Sequence, residues 1–229
     1  GNVGYSLNDN QLFSMHVRND DHKQTGGNQT YKYSFIQKLA DAKIRLTHST
    51  GLKNPSLYEL YGSSSFGHSG NTGINPEKSE TNEIFGEYKF SENLVFNSTA
   101  YRTRIKDSIK SNSSWTAYEN KTSDTTQEGL ENELYYKFLN QKISLVSHFA
   151  KSRTETNGPN SRRPDLSYGL DYSGNLNLPD LGLLKFGLNY RYIGDHLDWT
   201  GSKNEFVKSV DLVNANMSKE FYGLDFLLN

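Results

Sequence analysis

Apolar and polar residues alternate with a period of two along most of the chain. In "LSYGLDYSGNLNL", Leu166, Tyr168, Leu170, Tyr172, Leu176 and Leu178 fall on one side, and Ser167, Asp171, Ser173, Asn175 and Asn177 on the other. "LKFGLNYRYIGD" repeats the pattern, with Leu184, Phe186, Leu188, Tyr190 and Tyr192 set against Lys185, Asn189, Arg191 and Asp195. Successive side chains of a strand point to opposite faces, so each segment predicts a β-strand with one apolar and one polar face. Weaker versions run through "LFSMHVRN" (Phe13, Met15, Val17), "KIRLTHS" (Ile44, Leu46), "ENELYYKF" (Leu134, Tyr136, Phe138) and "KISLVSHF" (Ile143, Leu145, Phe149). "VDLVNANMS" is ambiguous in phase, which a β-bulge would explain.

The connections sort themselves. Short turns are predicted at 39–42, 91–93, 139–141, 178–182 and 220–223, and long polar links at 20–30, 51–78, 110–124, 154–165 and 195–205, in strict alternation. In an up-and-down antiparallel sheet this puts every short turn on one rim and every long loop on the other, the arrangement of outer-membrane barrels. Spans of about 10–13 residues suit tilted membrane strands, which need roughly 9–11 to cross hydrocarbon. The expected fold is therefore an all-β, antiparallel transmembrane barrel wall of about eleven strands, or twelve if "NVGYSL" belongs to a first one. A soluble antiparallel protein with one buried face shares the periodicity but has no reason to sort its loops.

Composition sharpens this picture. Only 34% of residues are hydrophobic and mean hydropathy is −0.77, yet aromatics reach 13%. A lipid-facing stripe of Leu, Phe and Tyr backed by a polar lumen face produces that combination, with Tyr at strand ends as an interfacial belt. No apolar run is long enough for a membrane helix. Net charge is −1, so no overall field draws the chain to nucleic acid. With no cysteine, disulfides, thiolate metal sites and a Cys nucleophile are excluded. Residues 1–20 lack a signal-peptide pattern, and the chain begins inside or just before a strand and ends at "GLDFLLN" in one just started. It reads as cut at both ends, with the remaining wall supplied from elsewhere, because two raw edges are not stable in lipid.

The segment at 50–80 carries a family resemblance. "TGLKNPSLYELYG", then "NPEKSETNEIFGEYKF", "AYRTRIKDSI", "QEGLENELYYKF" and "SRRPDLSYGLDY" resemble, in order and spacing, the C-terminal half of TonB-dependent outer-membrane receptors. Gly51, Pro55, Ser56, Leu57, Glu59, Leu60, Tyr61 and Gly62 match the family pattern, as do Asn75, Pro76, Glu77, Lys78, Ser79, Glu80 and Glu83. "YIGDHLD" and "SRRP" lean toward the cobalamin-receptor branch, while Thr72 stands where the family often carries a proline. The resemblance implies that residues 1–229 are part of a barrel of roughly 22 strands with a plugged lumen. It further implies a plug domain, absent here, through which TonB is contacted; outer-membrane lipid and lipopolysaccharide as surroundings; and a scarce large nutrient, such as cobalamin or an iron chelate, as cargo. No catalysis, cofactor or resident metal is implied. The motif itself is expected to be structural: Pro55 stops strand pairing, Ser56 caps a turn with Glu59, Leu57, Leu60 and Tyr61 pack inward, and Pro76 restarts the chain.

Other signals carry less chemistry. "GHSGN" (Gly67–Asn71) is similar to a nucleophile elbow but lacks the final glycine and a strand-to-helix setting. His16, His48 and His148 fall on strands, and no His pair has helical metal spacing. "NDDH" (19–22) and Asp195, His196 and Asp198 read as solvated loop charges without a converging ligand set. The sequon at Asn120 has meaning only in a secreted eukaryotic protein. Cargo is expected at the long loops, on rings able to stack on a large planar ligand: Tyr58, Phe66, Trp115, Tyr118 and Trp199. Two rivals share the alternation, a passive porin or adhesin and a twelve-stranded outer-membrane hydrolase. The latter needs a Ser/His or Asp/His pair near the outer lipid interface.

Overall fold

The alternating segments become the strands of one wall. A computed structural model describes residues 1–22, 26–63, 67–139, 141–154, 164–178, 182–199, 204–221 and 224–228. Strands β1 (Asn2–Asn8), β2 (Gln11–His22), β3 (Gly26–Lys38) and β4 (Ala42–Lys53) lead to a one-turn helix, α1 (Leu57–Tyr61), and a short pair, β5 (Gly62–Ser63) and β6 (His68–Ser69). The wall resumes with β7 (Glu77–Ser91) and β8 (Leu94–Lys106), then breaks for a second pair, β9 (Ile109–Ser111) and β10 (Tyr118–Asn120). It continues through β11 (Thr125–Phe138), β12 (Gln141–Thr154), β13 (Leu166–Leu178) and β14 (Gly182–Ile193). A third pair, β15 (His196–Trp199) and β16 (Asn204–Val207), precedes β17 (Val210–Phe221) and β18 (Leu224–Leu228). Leaving out the three short pairs, the strands form a single 12-stranded antiparallel sheet in chain order.

Register decides what each face presents. Ala42, Tyr88, Phe96, Leu134, Leu145, Leu170, Tyr190 and Val213 lie abreast across the wall. Higher on the same face, Phe13, Phe35, Leu46, Ile84, Ala100, Leu130, Phe149 and Leu166 form another row. Between these rows Ser98 donates to Asn132 at 2.8 Å, so polar groups on the apolar side find partners within the wall. The opposite face is polar and ion-paired: Lys43 meets Glu87 at 3.2 Å, Arg45 meets Glu83 at 3.0 Å, and both cations lie over the Phe85 ring. Further along, Arg191 reaches Asp171 at 3.0 Å.

The molecule is thus inverted relative to a water-soluble sheet. Ile84 is 58% and Val213 68% exposed in mid-strand, while the buried large apolar side chains among the described residues are Leu60, Ile74 and Ile109, none of them in the wall. An apolar band this extensive needs hydrocarbon against it. Leu134→Arg, in the middle of the band, is therefore expected to cost about 2–4 kcal/mol of unfolding free energy in lipid vesicles, while Thr99→Arg on the polar face costs little. Equal losses in a urea titration would contradict this assignment of faces.

The structure corrects three expectations. The link at 20–30 is not a long loop: β2 and β3 stay paired from Gln11↔Gln37 to His22↔Gly26. Alternation vanishes there because both faces are polar, with Gln29 donating to Asn19 at 2.9 Å and Arg18 paired with Asp20 at 2.8 Å. The other long links, after β4, β8, β12 and β14, all leave from the same rim, opposite the tight turns. No bulge interrupts β17, whose register with β14 is unbroken from Ile193↔Val210 to Leu184↔Lys219; the irregularities fall at Ser6/Asn8 and Lys89/Ser91, beside tight turns. Finally, of the three side chains expected to pack inward from α1, only Leu60 is buried. Leu57 is 69% and Tyr61 58% exposed, because a single helical turn can offer one face to its support and these two, four residues apart, share the other.

Candidate functional site: a clasped cap of two loops

Two excursions from the rim, 54–76 and 107–124, lock into one unit. Pro55 is buried where β4 ends, and Ser56 opens α1 in an extended conformation (φ −71°, ψ 161°). The Glu59 amide donates to Ser56 Oγ at 3.3 Å while the Ser56 amide donates to Glu59 Oε2 at 2.6 Å, a reciprocal capping box worth about 1 kcal/mol. Gly62 closes the turn at φ 67°, a left-handed conformation that disfavours other residues. Gly70 then passes against α1 so closely that a Cβ there would sit 2.2 Å from the Leu60 carbonyl oxygen.

Asparagines stitch the loops together. The Asn75 amide donates to Asn120 Oδ1 at 2.7 Å, and Asn120 Nδ2 donates back to the Asn75 carbonyl at 2.9 Å and to the Asp107 carbonyl at 2.7 Å. Asn71 Nδ2 donates to the Tyr118 carbonyl at 3.0 Å, and the Ser69 amide to the Thr116 carbonyl at 2.7 Å. Glu77 accepts from the Ile109 amide at 2.7 Å and from Lys53 Nζ at 3.1 Å, tying the second loop to the head of the wall. Leu60, Ile74 and Ile109, one or more from each excursion, are 3–7% exposed.

Three rings crown this cap. His68 is 7% exposed and lies between Tyr58, stacked at 4.8 Å, and Tyr118, tilted at 4.8 Å; the two tyrosines meet edge-on at 6.2 Å. Among the described residues, neither His68 ring nitrogen has a hydrogen-bond partner. A buried orphan of this kind costs about 1–3 kcal/mol and marks a position under functional constraint or one held by its ring contacts alone. His68→Phe is expected to keep the cap as protected in amide exchange as the parent, because both stacks survive; a loosened cap would show that the ring nitrogens contribute.

Of the rings expected at the cargo site, Tyr58 and Tyr118 are brought together. Trp115 sits at the β9–β10 tip, 69% exposed at φ 59°, in a turn that Asn112 organises by accepting from the Thr116 and Ala117 amides through Oδ1 at 2.9 and 3.3 Å. Phe66 lies outside the described residues. So does the Trp199 side chain, although its backbone ends β15 opposite Asn204. Asp195 is spent on the Ser209 amide at 2.6 Å, and no cluster of three His, Asp or Glu suited to a metal occurs among the described residues. Sequence reasoning passed over His68, seen only inside the elbow-like "GHSGN", and Asn120, seen only as a sequon.

The same overall fold recurs in solved structures. The siderophore receptor PirA from Acinetobacter baumannii superposes with a TM-score of 0.79 at 17% identity, over 96% of this chain and 38% of that one. The FrpB iron transporter from Neisseria meningitidis (F3-3 variant) gives 0.73 at 14%, over 97% and 38%. The ferric-catecholate import receptor Fiu from K12 E. coli gives 0.70 at 16%, over 96% and 38%. This chain therefore spans 38% of the length of these proteins. No curated protein sequence matches it. A family model described as "TonB dependent receptor-like, beta-barrel" matches residues 1–228, so the chain belongs to the TonB-dependent receptor β-barrel family.

Proposed function

We propose that residues 1–229 form part of the barrel of an outer-membrane receptor in a Gram-negative bacterium, which captures a ferric siderophore at its external loops and imports it with energy from TonB. The observation that carries this reading is the cap: a clasped pair of loops on the rim opposite the tight turns, presenting Tyr58 and Tyr118 as rings packed on the buried His68. Rigid aromatic platforms suit large ligands with planar groups, since stacking rewards surface at low entropic cost. The iron-related activities of PirA, FrpB and Fiu favour an iron chelate over cobalamin, and a catecholate supplies rings that match the platform.

On this reading the apolar face meets lipid and the ion-paired face lines the lumen. Lys43, Arg45, Glu83 and Glu87 then stand where a plug domain, supplied by the rest of the protein, contacts the wall. Cargo bound at the cap shifts the plug population toward a released state, and TonB does the remaining work through that plug. Nothing in the cycle requires bond chemistry from this chain. Iron uptake by cells carrying the full-length receptor tests the proposal. Uptake of a ferric chelate that disappears when TonB is deleted is expected; uptake that persists would instead identify a passive porin.

A further inference from the structure

Tyr118 is held in the ring cluster by a side chain two residues away. It shares one side of β10 with Asn120, since alternate residues of a strand point the same way. The Asn120 side-chain amide pairs with the backbone of residue 75 as a neighbouring strand would: Oδ1 accepts from the Asn75 amide at 2.7 Å, and Nδ2 donates to the Asn75 carbonyl at 2.9 Å. Nδ2 also donates to the Asp107 carbonyl at 2.7 Å, so both donors of the amide are used. The backbone it grips is preset, because Pro76, itself buried, disposes the residue before it to an extended conformation. One side chain thus joins the end of the first excursion, the start of the second and the strand that carries Tyr118.

The second excursion is also strained. Asp107 (φ 54°) and Trp115 (φ 59°) are two of the three non-glycine residues with positive φ among those described. A left-handed backbone is costly for residues with a Cβ and persists where the surroundings impose it. At Asp107 the Asn120 hydrogen bond is such a contact. Without it the excursion relaxes at its root and β10 withdraws from residue 75. The Ile109 amide stays on Glu77, so the loop loosens at β10 and does not leave the wall.

We propose that Asn120 is a positioning residue for cargo capture: it touches no cargo, and it sets affinity by holding Tyr118 on His68 and beside Tyr58 before cargo arrives. The inference rests on the cap being the cargo site. A platform assembled only part of the time lowers apparent affinity by the fraction assembled, and ordering it at the moment of binding is a cost that a pre-set platform avoids.

The test titrates full-length receptor in detergent with a ferric catecholate, as parent, Asn120→Ala, Asn120→Asp, Tyr118→Ala and Asn120→Ala/Tyr118→Ala. Asn120→Asp keeps the acceptor for the Asn75 amide and removes both donors; the neutral Asn120→Ala controls for its charge. Each Asn120 variant is expected to weaken binding about tenfold, the drop produced when the assembled fraction falls to roughly one tenth. Amide exchange over 107–124 is expected to rise in both, while the wall strands keep parent protection. The double variant separates positioning from general support. With Tyr118 already displaced, removing its ring adds less than about twofold, whereas independent contributions multiply. Multiplying losses, or parent affinity in Asn120→Ala, would overturn the proposal. An ineffective Tyr118→Ala would overturn it together with the reading of the cap as cargo site. Should Asn120→Ala fail to assemble, Asn71→Ala, which frees the Tyr118 carbonyl from the other flank, replaces it in the same cycle with the same result expected.

Discussion

Gly70→Val is expected to lower cargo affinity on the order of 100-fold, about 2.7 kcal/mol, without preventing barrel assembly. The cause is geometric. A Cβ at this position meets the Leu60 carbonyl oxygen at 2.2 Å and the Tyr61 Cα and carbonyl carbon at 2.3 Å, all backbone atoms that cannot rotate away. The chain must retreat from α1, and retreat carries His68 and Ser69 with it, because they precede Gly70 on β6. The Tyr58–His68 stack and the Ser69–Thr116 hydrogen bond separate together. The wall is untouched, since its rows depend on pairing between long strands remote from residue 70. Amide exchange over 56–75 measures the loosening and a chelate titration measures the consequence. Parent affinity with a loosened cap would separate the cap from binding.

Removing the platform rings is the second large effect. Tyr58→Ala and Tyr118→Ala each delete one side of the ring cluster and are expected to weaken cargo binding about tenfold, in line with truncation of an interfacial aromatic. Together they should lose less than the product of the two, because both rings pack on His68 and share that contact. Tyr58→Phe keeps the ring and most of the affinity if stacking dominates, and loses it if the hydroxyl is the contact. Equilibrium titrations of the two single variants and the double variant give the coupling directly.

The wall was legible in the sequence because lipid enforces alternation: Leu170, Tyr172, Leu188 and Tyr190 have no other way to meet hydrocarbon while Asp171 and Arg191 meet water. Legibility failed where that constraint lifts. Asn19, Asp20, Asn28 and Gln29 pair as strand although neither face is apolar, so no period betrays them. In β17 Val210 and Leu212 sit on the polar face while Val213, Ala215 and Met217 follow the apolar one, and the mixture mimicked a bulge. The capping box was readable, since Ser56 and Glu59 are three residues apart. The clasp was not: Asn75 and Asn120 are joined across 45 residues, a partnership that no local pattern specifies. Tyr58 and Tyr118 were legible as loop rings, but the histidine that joins them was hidden in a motif suggesting different chemistry.

Cargo binding at the cap can be read in a single titration. Full-length receptor in detergent, followed by intrinsic Trp fluorescence, is titrated with a ferric catecholate, a non-aromatic ferric chelate and cobalamin, in the parent and in Tyr58→Ala/Tyr118→Ala. Saturable binding of a ferric chelate by the parent, strongest for the catecholate and sharply weakened in the double variant, is the expected result. Equal binding by both proteins, or saturation by cobalamin alone, would contradict the assignment of this cap as a ferric siderophore platform.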